Sequence, residues 1–300
     1  MCIRDSSHTS SEIISVVKSI APTFGGINLE DIAAPICFEV EEALQDIGIP
    51  VFHDDQHGTA IVLLAGLLNA IKVVEKPLSS LSVVINGAGA AGTAIANLLR
   101  CSGQESCSCV SVKDVLVCDS KGIISSKRSD LNPYKQGLLK NTNLNDRSGT
   151  LNDALKGADV FIGVSKGNIL TAEHIKLMNP KSIVFAMANP IPEIMPDVAK
   201  AAGAFVVGTG RSDFPNQINN VLAFPGIFRG ALDAMATKIS DSMKIAAAHA
   251  LASSIPENEL SAEKVLASPL DRTISGKIAL AVKNAAIEEG VVRKQNCSKG

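Results

Sequence analysis

The sequence has almost no aromatic side chains: it contains no tryptophan, one tyrosine and nine phenylalanines among 300 residues. Proteins that bind single-stranded nucleic acid without sequence preference stack the bases on aromatic rings, so this scarcity argues against that class. Lysine and arginine do not outnumber aspartate and glutamate, and the formal net charge is −2. The basic footprint of a protein that binds nucleic acid is therefore missing too, and we expect no such partner.

Signals for membranes and export are also missing. The longest apolar run, from Ala60 to Ile71, is shorter than the roughly 20 residues that a helix needs to cross a bilayer. The first ten residues, MCIRDSSHTS, lack the apolar core of a signal peptide. The seven cysteines form no paired framework, and Cys101, Cys107 and Cys109 crowd one stretch without the spacing of a zinc site. We expect a cytoplasmic protein with reduced thiols and no membrane contact.

After residue 80, short apolar runs alternate with amphipathic segments. The runs that predict strands are 81–86, 115–118, 159–165, 182–189 and 204–210. This alternation predicts a parallel sheet with helices on both faces, so the fold class is α/β with a Rossmann-like, doubly wound sheet. The segment before residue 56 is too short for a complete domain and is interpreted as the C-terminal part of a second α/β domain. We expect a partial substrate- and metal-binding domain at 1–55, a nucleotide-binding domain at 56–235, and C-terminal helices at 236–300 that pack on the latter.

Two predicted strands end in adjacent carboxylates. INLEDI carries Glu30 and Asp31, and PVFHDDQHGTA carries Asp54 and Asp55. If the two strands are neighbours, the four acids converge and repel one another unless a cation neutralises them. Oxygen ligands suit Mg²⁺ or Mn²⁺. The alternative is that Asp55 caps the helix that begins near Gly58, and that the other acids are ordinary loop charges.

A glycine-rich loop, NGAGAAG, follows the first strand of the predicted sheet. Gly87, Gly89 and Gly92 fit the GxGxxG pattern between a strand and a helix, which is the context that makes this pattern informative. The three glycines permit, in turn, a tight turn, close approach to a pyrophosphate, and close packing of helix on strand. The alternative is a glycine turn that serves packing alone.

The next strand ends in CDSKG, where an acid can bind ribose hydroxyls. Asp119 at that position favours NAD because it repels a 2′-phosphate. Ser120 and Lys121 favour NADP because a hydroxyl and an ammonium can hold that phosphate. From these residues alone the two cofactors stay balanced.

Polar residues also stand at the carboxyl ends of later strands, where ligands bind in parallel sheets. Ser165, Asn189 and Thr209 occupy such ends, and Asn219 and Asn220 follow in a long loop. An asparagine there can donate to a carboxylate or a ribose without adding charge. Asn189 can equally be a turn residue before Pro190, and Asn219 or Asn220 can equally cap the helix after Pro225.

Together these motifs, in this order, resemble the malic enzymes, especially the short bacterial type. The resemblance covers residues 11–293 and is most specific in HDDQHGTA and in TGRSDFPNQINNVLAFPGIFRGALD. It implies an enzyme that oxidises and decarboxylates L-malate to pyruvate and CO₂, with NADP or NAD and with Mg²⁺ or Mn²⁺. Because DSKG is similar to members that use NADP, we favour NADP.

The resemblance also implies residue roles. Glu30, Asp31 and Asp55 would hold the metal, and Asp54 would orient them. Asn189 and Asn220 would contact the substrate. The cofactor would be bound by Gly87, Ala88, Gly89, Ala90, Ala91, Gly92, Asp119, Ser120, Lys121, Ser165 and Asn189.

One departure from the family affects catalysis. Malic enzymes carry a catalytic tyrosine and a catalytic lysine upstream of the first acidic pair, and neither Lys18 nor Tyr134 matches those motifs. We therefore expect an N-terminally truncated chain that binds cofactor and metal but lacks the general base and acid, and turns over malate poorly. The alternatives are a nucleotide-binding remnant that never catalyses, and a different Rossmann dehydrogenase acting on amino acids. The family further implies a homo-oligomer in the full-length form.

Overall fold

Residues 9–100 and 111–293 are described by the computed structural model, so Cys101, Cys107 and Cys109 lie outside the described residues. The helices are α1 Ser10–Ile20, α2 Ile36–Leu44, α3 Thr59–Val74, α4 Ala90–Leu99, α5 Pro133–Leu138, α6 Leu151–Leu155, α7 Ala172–Lys176, α8 Pro196–Ala201, α9 Phe224–Asp233, α10 Asp241–Ala252 and α11 Thr273–Glu289. The strands are β1 Ile27–Leu29, β2 Val51–His53, β3 Ser82–Asn86, β4 Asp114–Asp119, β5 Gly122–Ile123, β6 Val160–Gly163, β7 Ile183–Ala186 and β8 Val206–Thr209.

The main sheet has six strands in the order β5-β4-β3-β6-β7-β8. Strands β4, β3, β6, β7 and β8 run parallel, which confirms the predicted fold class. The two-residue strand β5 pairs antiparallel with β4, and the sequence did not predict it because two residues carry no periodicity. The chain order reverses between β3 and β6, so their carboxyl ends open a crevice of the kind that binds nucleotides.

Each of the five parallel strands of the main sheet divides its side chains between two cores. In β3, Val83 and Ile85 enter the larger core, which also contains residues of α3, α4 and α9 to α11. Val84 points the other way, into the smaller core formed with α6, α7 and α8. This alternation is the consequence of the two-residue period of a strand, and burial on both faces explains why the strands are apolar throughout.

A second, two-stranded sheet stands before the main one. Strands β1 and β2 are parallel, with Leu29 opposite His53. Their apolar residues form a small core with helices α1 and α2, which includes Val17 and Val40. Because parallel neighbours end on the same side, the acids that follow both strands are brought to one edge, as the metal hypothesis required.

Helix α3 is longer than the apolar run from Ala60 to Ile71. A π-helical turn, Asp54–Gly58, precedes it, and together they give 21 residues that could cross a bilayer by length and composition. However, 67% of its most apolar stretch is buried inside the protein, and it packs against α4 and α10. A buried core helix passes the same test of length and composition, so this helix is weak evidence for a membrane.

Asn69 links α3 to the C-terminal helices. Its buried side-chain amide donates to the backbone carbonyls of Ala252 at 2.9 Å and Val265 at 3.0 Å. We expect Asn69→Ala to lower the free energy of unfolding by about 2–3 kcal/mol, because the substitution removes a buried donor from two carbonyls. Urea denaturation measures the change, with exposed Asn258→Ala as the control. Equal stability of the two variants would contradict the structural role of this amide.

Candidate functional site

The acids that follow β1 and β2 meet at one edge of the small sheet. The backbone N–H of Asp31 donates to Asp55 Oδ2 at 2.8 Å. Asp31 adopts a left-handed backbone conformation, with φ at 59°, that turns the chain toward β2. Asp55 therefore does not cap the helix: no side chain caps α3, and the Asp55 carboxylate accepts from the neighbouring loop instead.

Asp54 is the buried member of this acidic group. Its side chain is almost enclosed, and its Oδ2 accepts a 2.6 Å hydrogen bond from Asn220 Nδ2. Burial, together with the carboxylates of Glu30 and Asp55, raises the pKa of Asp54 to about 6. Asp54 Oδ1 is buried with no hydrogen-bond partner. A Cβ at Gly58 would lie 1.9 Å from that oxygen, so the glycine of HDDQHG leaves room for Asp54.

The two histidines of this motif have different surroundings. His53 is fully buried, and neither ring nitrogen has a hydrogen-bond partner; Nδ1 lies 3.8 Å from Asp55 Oδ2. His57 Nε2 lies 2.7 Å from Glu41 Oε1, and burial lowers the pKa of His57. That pair lines a separate cavity of about 330 Å³, which contains none of the acids that follow β1 and β2.

The carboxylates of these acids are the type of ligand that a hard divalent ion prefers, but their side chains are not arranged around a common point. Within residues 9–100 and 111–293, no three His, Cys, Asp or Glu side chains are spaced to hold a metal. The carboxylate of Glu30 instead accepts from Asn28 Nδ2 at 3.2 Å. A cation would suit this group of acids, because Asp54 Oδ1 is buried without a hydrogen-bond partner. The metal ligands therefore stay a prediction.

The glycine loop connects β3 to α4 with the geometry that the motif requires. Gly87 has φ at +130°, which favours glycine, and a Cβ there would lie 2.6 Å from the carbonyl oxygen of Val164. A Cβ at Gly92 would lie 1.8 Å from the carbonyl oxygen of Gly87, so α4 packs directly on the turn. Nothing lies within 4 Å of a Cβ at Gly89, which leaves open space over the loop.

Two cavities share Ser165 in their linings. The acidic cavity, of about 320 Å³, is lined by Asp55, Thr59, Ala91, Val164, Ser165, Met187, Ala188, Asn189, Gly210, Ile218, Asn219 and Asn220. The glycine-loop cavity, of about 470 Å³, is lined by Asn86, Gly87, Ala88, Asp119, Ser120, Lys121, Gly122, Thr150, Leu151, Ser165, Lys166 and Ile169. Asn86 Nδ2 donates to Ser165 Oγ at 2.8 Å, which fixes the shared residue to the end of β3. The structure thus brings together Asp55, Asn189 and Asn220 beside the predicted nucleotide loop.

Asp119 lies in the wall of the glycine-loop cavity, but its carboxylate is already fully hydrogen-bonded. Arg128 donates to both oxygens at 2.8 and 3.0 Å, Lys135 Nζ to Oδ2 at 2.6 Å, and the Lys121 backbone N–H to Oδ1 at 2.9 Å. Burial raises the pKa of Asp119, but the hydrogen bonds from Arg128 and Lys135 outweigh it and lower the pKa to about 2. Sequence reasoning missed both cations because Arg128 lies in a loop and Lys135 in the six-residue helix α5, which is too short for a clear periodicity.

Glu193 is a second residue that the sequence did not reveal. Its fully buried carboxylate accepts from the backbone N–H groups of Ser165 at 3.1 Å and Ala188 at 3.0 Å. Burial raises the pKa of Glu193. The side chain therefore joins the two loops that line the acidic cavity. In the sequence it stands between prolines in IPEIMP, where a glutamate is normally interpreted as a solvent-facing loop charge.

Comparison with known proteins gives consistent matches. Residues 56–287 match the family model described as the NAD-binding domain of malic enzyme. The chain is 56% identical over 284 residues to a bifunctional malic/malolactic enzyme of Bacillus subtilis, covering 94% of this chain and 67% of that protein. It is 51% identical over 292 residues to an NAD-dependent malic enzyme of Geobacillus stearothermophilus, covering 97% of this chain and 59% of the relative.

The structural comparison agrees with the sequence matches. A crystal structure of malic enzyme from Pyrococcus horikoshii superposes with a TM-score of 0.90 at 48% identity, covering 97% of this chain and 67% of that one. Another relative, from Halomonas elongata, is named an NADP-dependent malic enzyme. The chain spans about two thirds, or less, of the length of these proteins.

Proposed function

The chain belongs to the malic enzyme family, and we propose that it serves the oxidative decarboxylation of L-malate to pyruvate and CO₂ with reduction of NADP or NAD. The observation that carries this proposal is the pair of cavities that share Ser165 in their linings. One cavity offers the carboxylate of Asp55 and asparagine amides, and the other offers the glycine loop. Malate and a nicotinamide would thus meet at their junction, in a protein that we expect in the cytoplasm.

We assign the metal to the acids beside β1 and β2. Glu30, Asp31 and Asp55 would hold Mg²⁺ or Mn²⁺, which when bound supplies Lewis acidity at a substrate oxygen. Asp54 would position this group from its buried place, because its Oδ2 is fixed by Asn220. The neutral amides of Asn189 and Asn220 would orient the substrate carboxylates without adding charge to an already anionic site.

We assign the nucleotide to the glycine-loop cavity. The N–H groups at the start of α4 would face the pyrophosphate, and Gly89 leaves the space for it. Ala88 and Ser165 line this cavity, and Ser165 also lines the acidic cavity. With the division at residues 55 and 235 that the sequence predicts, the small sheet would supply metal ligands and the main sheet the cofactor site.

The family resemblance implies a tyrosine and a lysine as proton-transfer groups. In the part of the chain that the structure describes, no lysine or tyrosine lines the acidic cavity. The ring of Tyr134 lies 4.8 Å from that of Phe38, and Lys18 lines another cavity beside Arg293. Since each general acid or base contributes about 10²–10⁴-fold, we expect slow turnover by this chain alone. This favours, as a second candidate, a nucleotide-binding module without catalysis.

The proposal is tested by binding and product formation together. We expect calorimetric titration to give saturable binding of NADP and NAD, and malate with Mn²⁺ to produce reduced cofactor and pyruvate at a low rate that a chelator abolishes. Nucleotide binding without pyruvate would favour the second candidate. Reduction with amino acids in place of malate, or the absence of nucleotide binding, would overturn the proposal.

Metal binding is tested separately through Asp55. Because a ligating carboxylate is lost, Asp55→Asn is expected to weaken Mn²⁺ binding by at least about tenfold, measured by the electron paramagnetic resonance signal of free Mn²⁺. Asp46→Asn, at an exposed site after α2, is the control and should leave binding unchanged. Equal Mn²⁺ affinity in both variants would refute the assignment of Asp55.

A further inference from the structure

Five charged side chains form one cluster at the end of β4, beside the glycine-loop cavity. This β4 charge cluster consists of Asp119, Lys121, Arg128, Asp130 and Lys135. Arg128 lies at its centre: the guanidinium donates to Asp119 on one side and, at 2.9 and 2.8 Å, to Asp130 on the other. The side chains of the cluster are therefore connected by specific hydrogen bonds and ion pairs.

Asp119 of the cluster has no remaining capacity to accept a hydrogen bond from a ligand. Asp119 accepts four internal hydrogen bonds, which is the capacity of a carboxylate, so it cannot bind ribose hydroxyls without losing a donor. Its charge is also compensated by Arg128 and Lys135, so it does not repel a phosphate as an isolated acid would. Discrimination between NADP and NAD must therefore come from elsewhere in the cluster.

Lys121 is the cation of the cluster that faces the cavity. Its side chain is 66% exposed, and its ammonium pairs with Asp130 Oδ2 at 2.8 Å. Asp130 is itself 33% exposed, so this pair is accessible to a ligand. With three cations and two anions, the cluster carries a net charge of +1. A 2′-phosphate brings about −1.5 to −2 charges and three acceptor oxygens.

We infer that Asp130 sets the preference of this chain between NADP and NAD, because it is the resident anion that a 2′-phosphate displaces from Lys121. This inference rests on the proposed function, which brings the nucleotide into the glycine-loop cavity. When the phosphate replaces Asp130, its oxygens accept from the Lys121 ammonium and from Ser120, which line the same cavity. Asp130 thus weakens NADP binding by competition and leaves NAD, which lacks the phosphate, unaffected.

The test compares two nucleotides that differ only in the phosphate at the 2′ position, 2′,5′-ADP and 5′-AMP. Both are titrated calorimetrically against the intact chain, without malate or metal. In Asp130→Asn, 2′,5′-ADP is expected to bind about tenfold more tightly, the size of one charge-assisted hydrogen bond, while 5′-AMP binds as in the wild type. In Lys121→Gln, 2′,5′-ADP is expected to bind about tenfold more weakly, again with 5′-AMP unchanged.

The double variant decides whether the two residues act on each other. If Asp130 acts through Lys121, the gain from Asp130→Asn disappears in the Lys121→Gln background. Glu263→Gln is the matched control, because Glu263 forms a 2.7 Å surface pair with Lys200 away from both cavities. It should change neither affinity, and thermal unfolding verifies that all variants fold.

Three results would overturn the inference. They are an unchanged 2′,5′-ADP affinity in Asp130→Asn, a parallel shift for both nucleotides, and a gain that persists without Lys121. In each of these cases 5′-AMP still binds, and the proposed function stands. If the wild-type chain binds neither nucleotide, the proposed function fails and the inference fails with it.

Discussion

Replacing Gly92 by alanine is expected to lower the free energy of unfolding by about 3 kcal/mol and to weaken NADP binding by about 100-fold. The added Cβ would lie 1.8 Å from the carbonyl oxygen of Gly87 and 2.9 Å from its carbonyl carbon. Both are backbone atoms of the turn itself, so no flexible side chain can move aside. Helix α4 would have to shift away from β3, and the N–H groups that face the pyrophosphate would shift with it.

Gly89→Ala is the matched variant that separates folding from binding. A Cβ at Gly89 meets nothing within 4 Å, and its φ of −91° suits alanine. We expect unchanged or slightly higher stability, but NADP affinity about tenfold or more lower, because the methyl group occupies space that the pyrophosphate needs. Urea denaturation and calorimetric titration measure the two quantities. Full NADP affinity in Gly89→Ala would show that the pyrophosphate does not lie over this loop.

The sequence predicted the sheet because the sheet is made of buried apolar runs. Burial on both faces gives β3, β6, β7 and β8 a continuous apolar pattern that flanking polar residues delimit. The same pattern overestimated strand ends: run 182–189 contains β7 at Ile183–Ala186, and the residues after it already form the crevice. Apolar residues continue beyond the last hydrogen-bonded residue of the strand, so hydrophobicity alone does not show where the strand ends.

The candidate site could be predicted only where one local motif contains it. The loop from Gly87 to Gly92 contains the whole GxGxxG pattern within six residues, so a local pattern was sufficient to predict it. Asp54 instead meets Asn220 across 166 residues of chain, and no local pattern encodes such a contact. The resemblance to malic enzymes implied a role for Asn220, and the structure shows that its partner is Asp54. Arg128 and Glu193 had neither a motif nor a periodicity, so only their packing reveals them.

Glu193→Gln is expected to weaken NADP binding by about 10- to 100-fold, although the side chain touches neither nucleotide nor metal in this assignment. The carboxylate accepts one N–H from the loop after β6 and one from the loop after β7. Glutamine keeps the shape but has only one acceptor oxygen, so its NH₂ group faces a backbone N–H in a buried place. A buried backbone N–H without an acceptor costs about 1–3 kcal/mol. The loops after β6 and β7 can reduce this cost only by moving apart.

Loss of binding must be distinguished from loss of stability in this variant. Asn69→Ala removes a buried side-chain donor of comparable energy on α3, away from both cavities, so it is the control for stability. If Glu193 positions the loops, Glu193→Gln loses NADP affinity while Asn69→Ala, at a similar cost in unfolding free energy, retains it. Glu173→Gln, in an exposed pair with Lys176, should change neither quantity. Unaltered NADP affinity in Glu193→Gln would mean that the crevice loops keep their positions without this carboxylate, and that Ser165 is held sufficiently by Asn86.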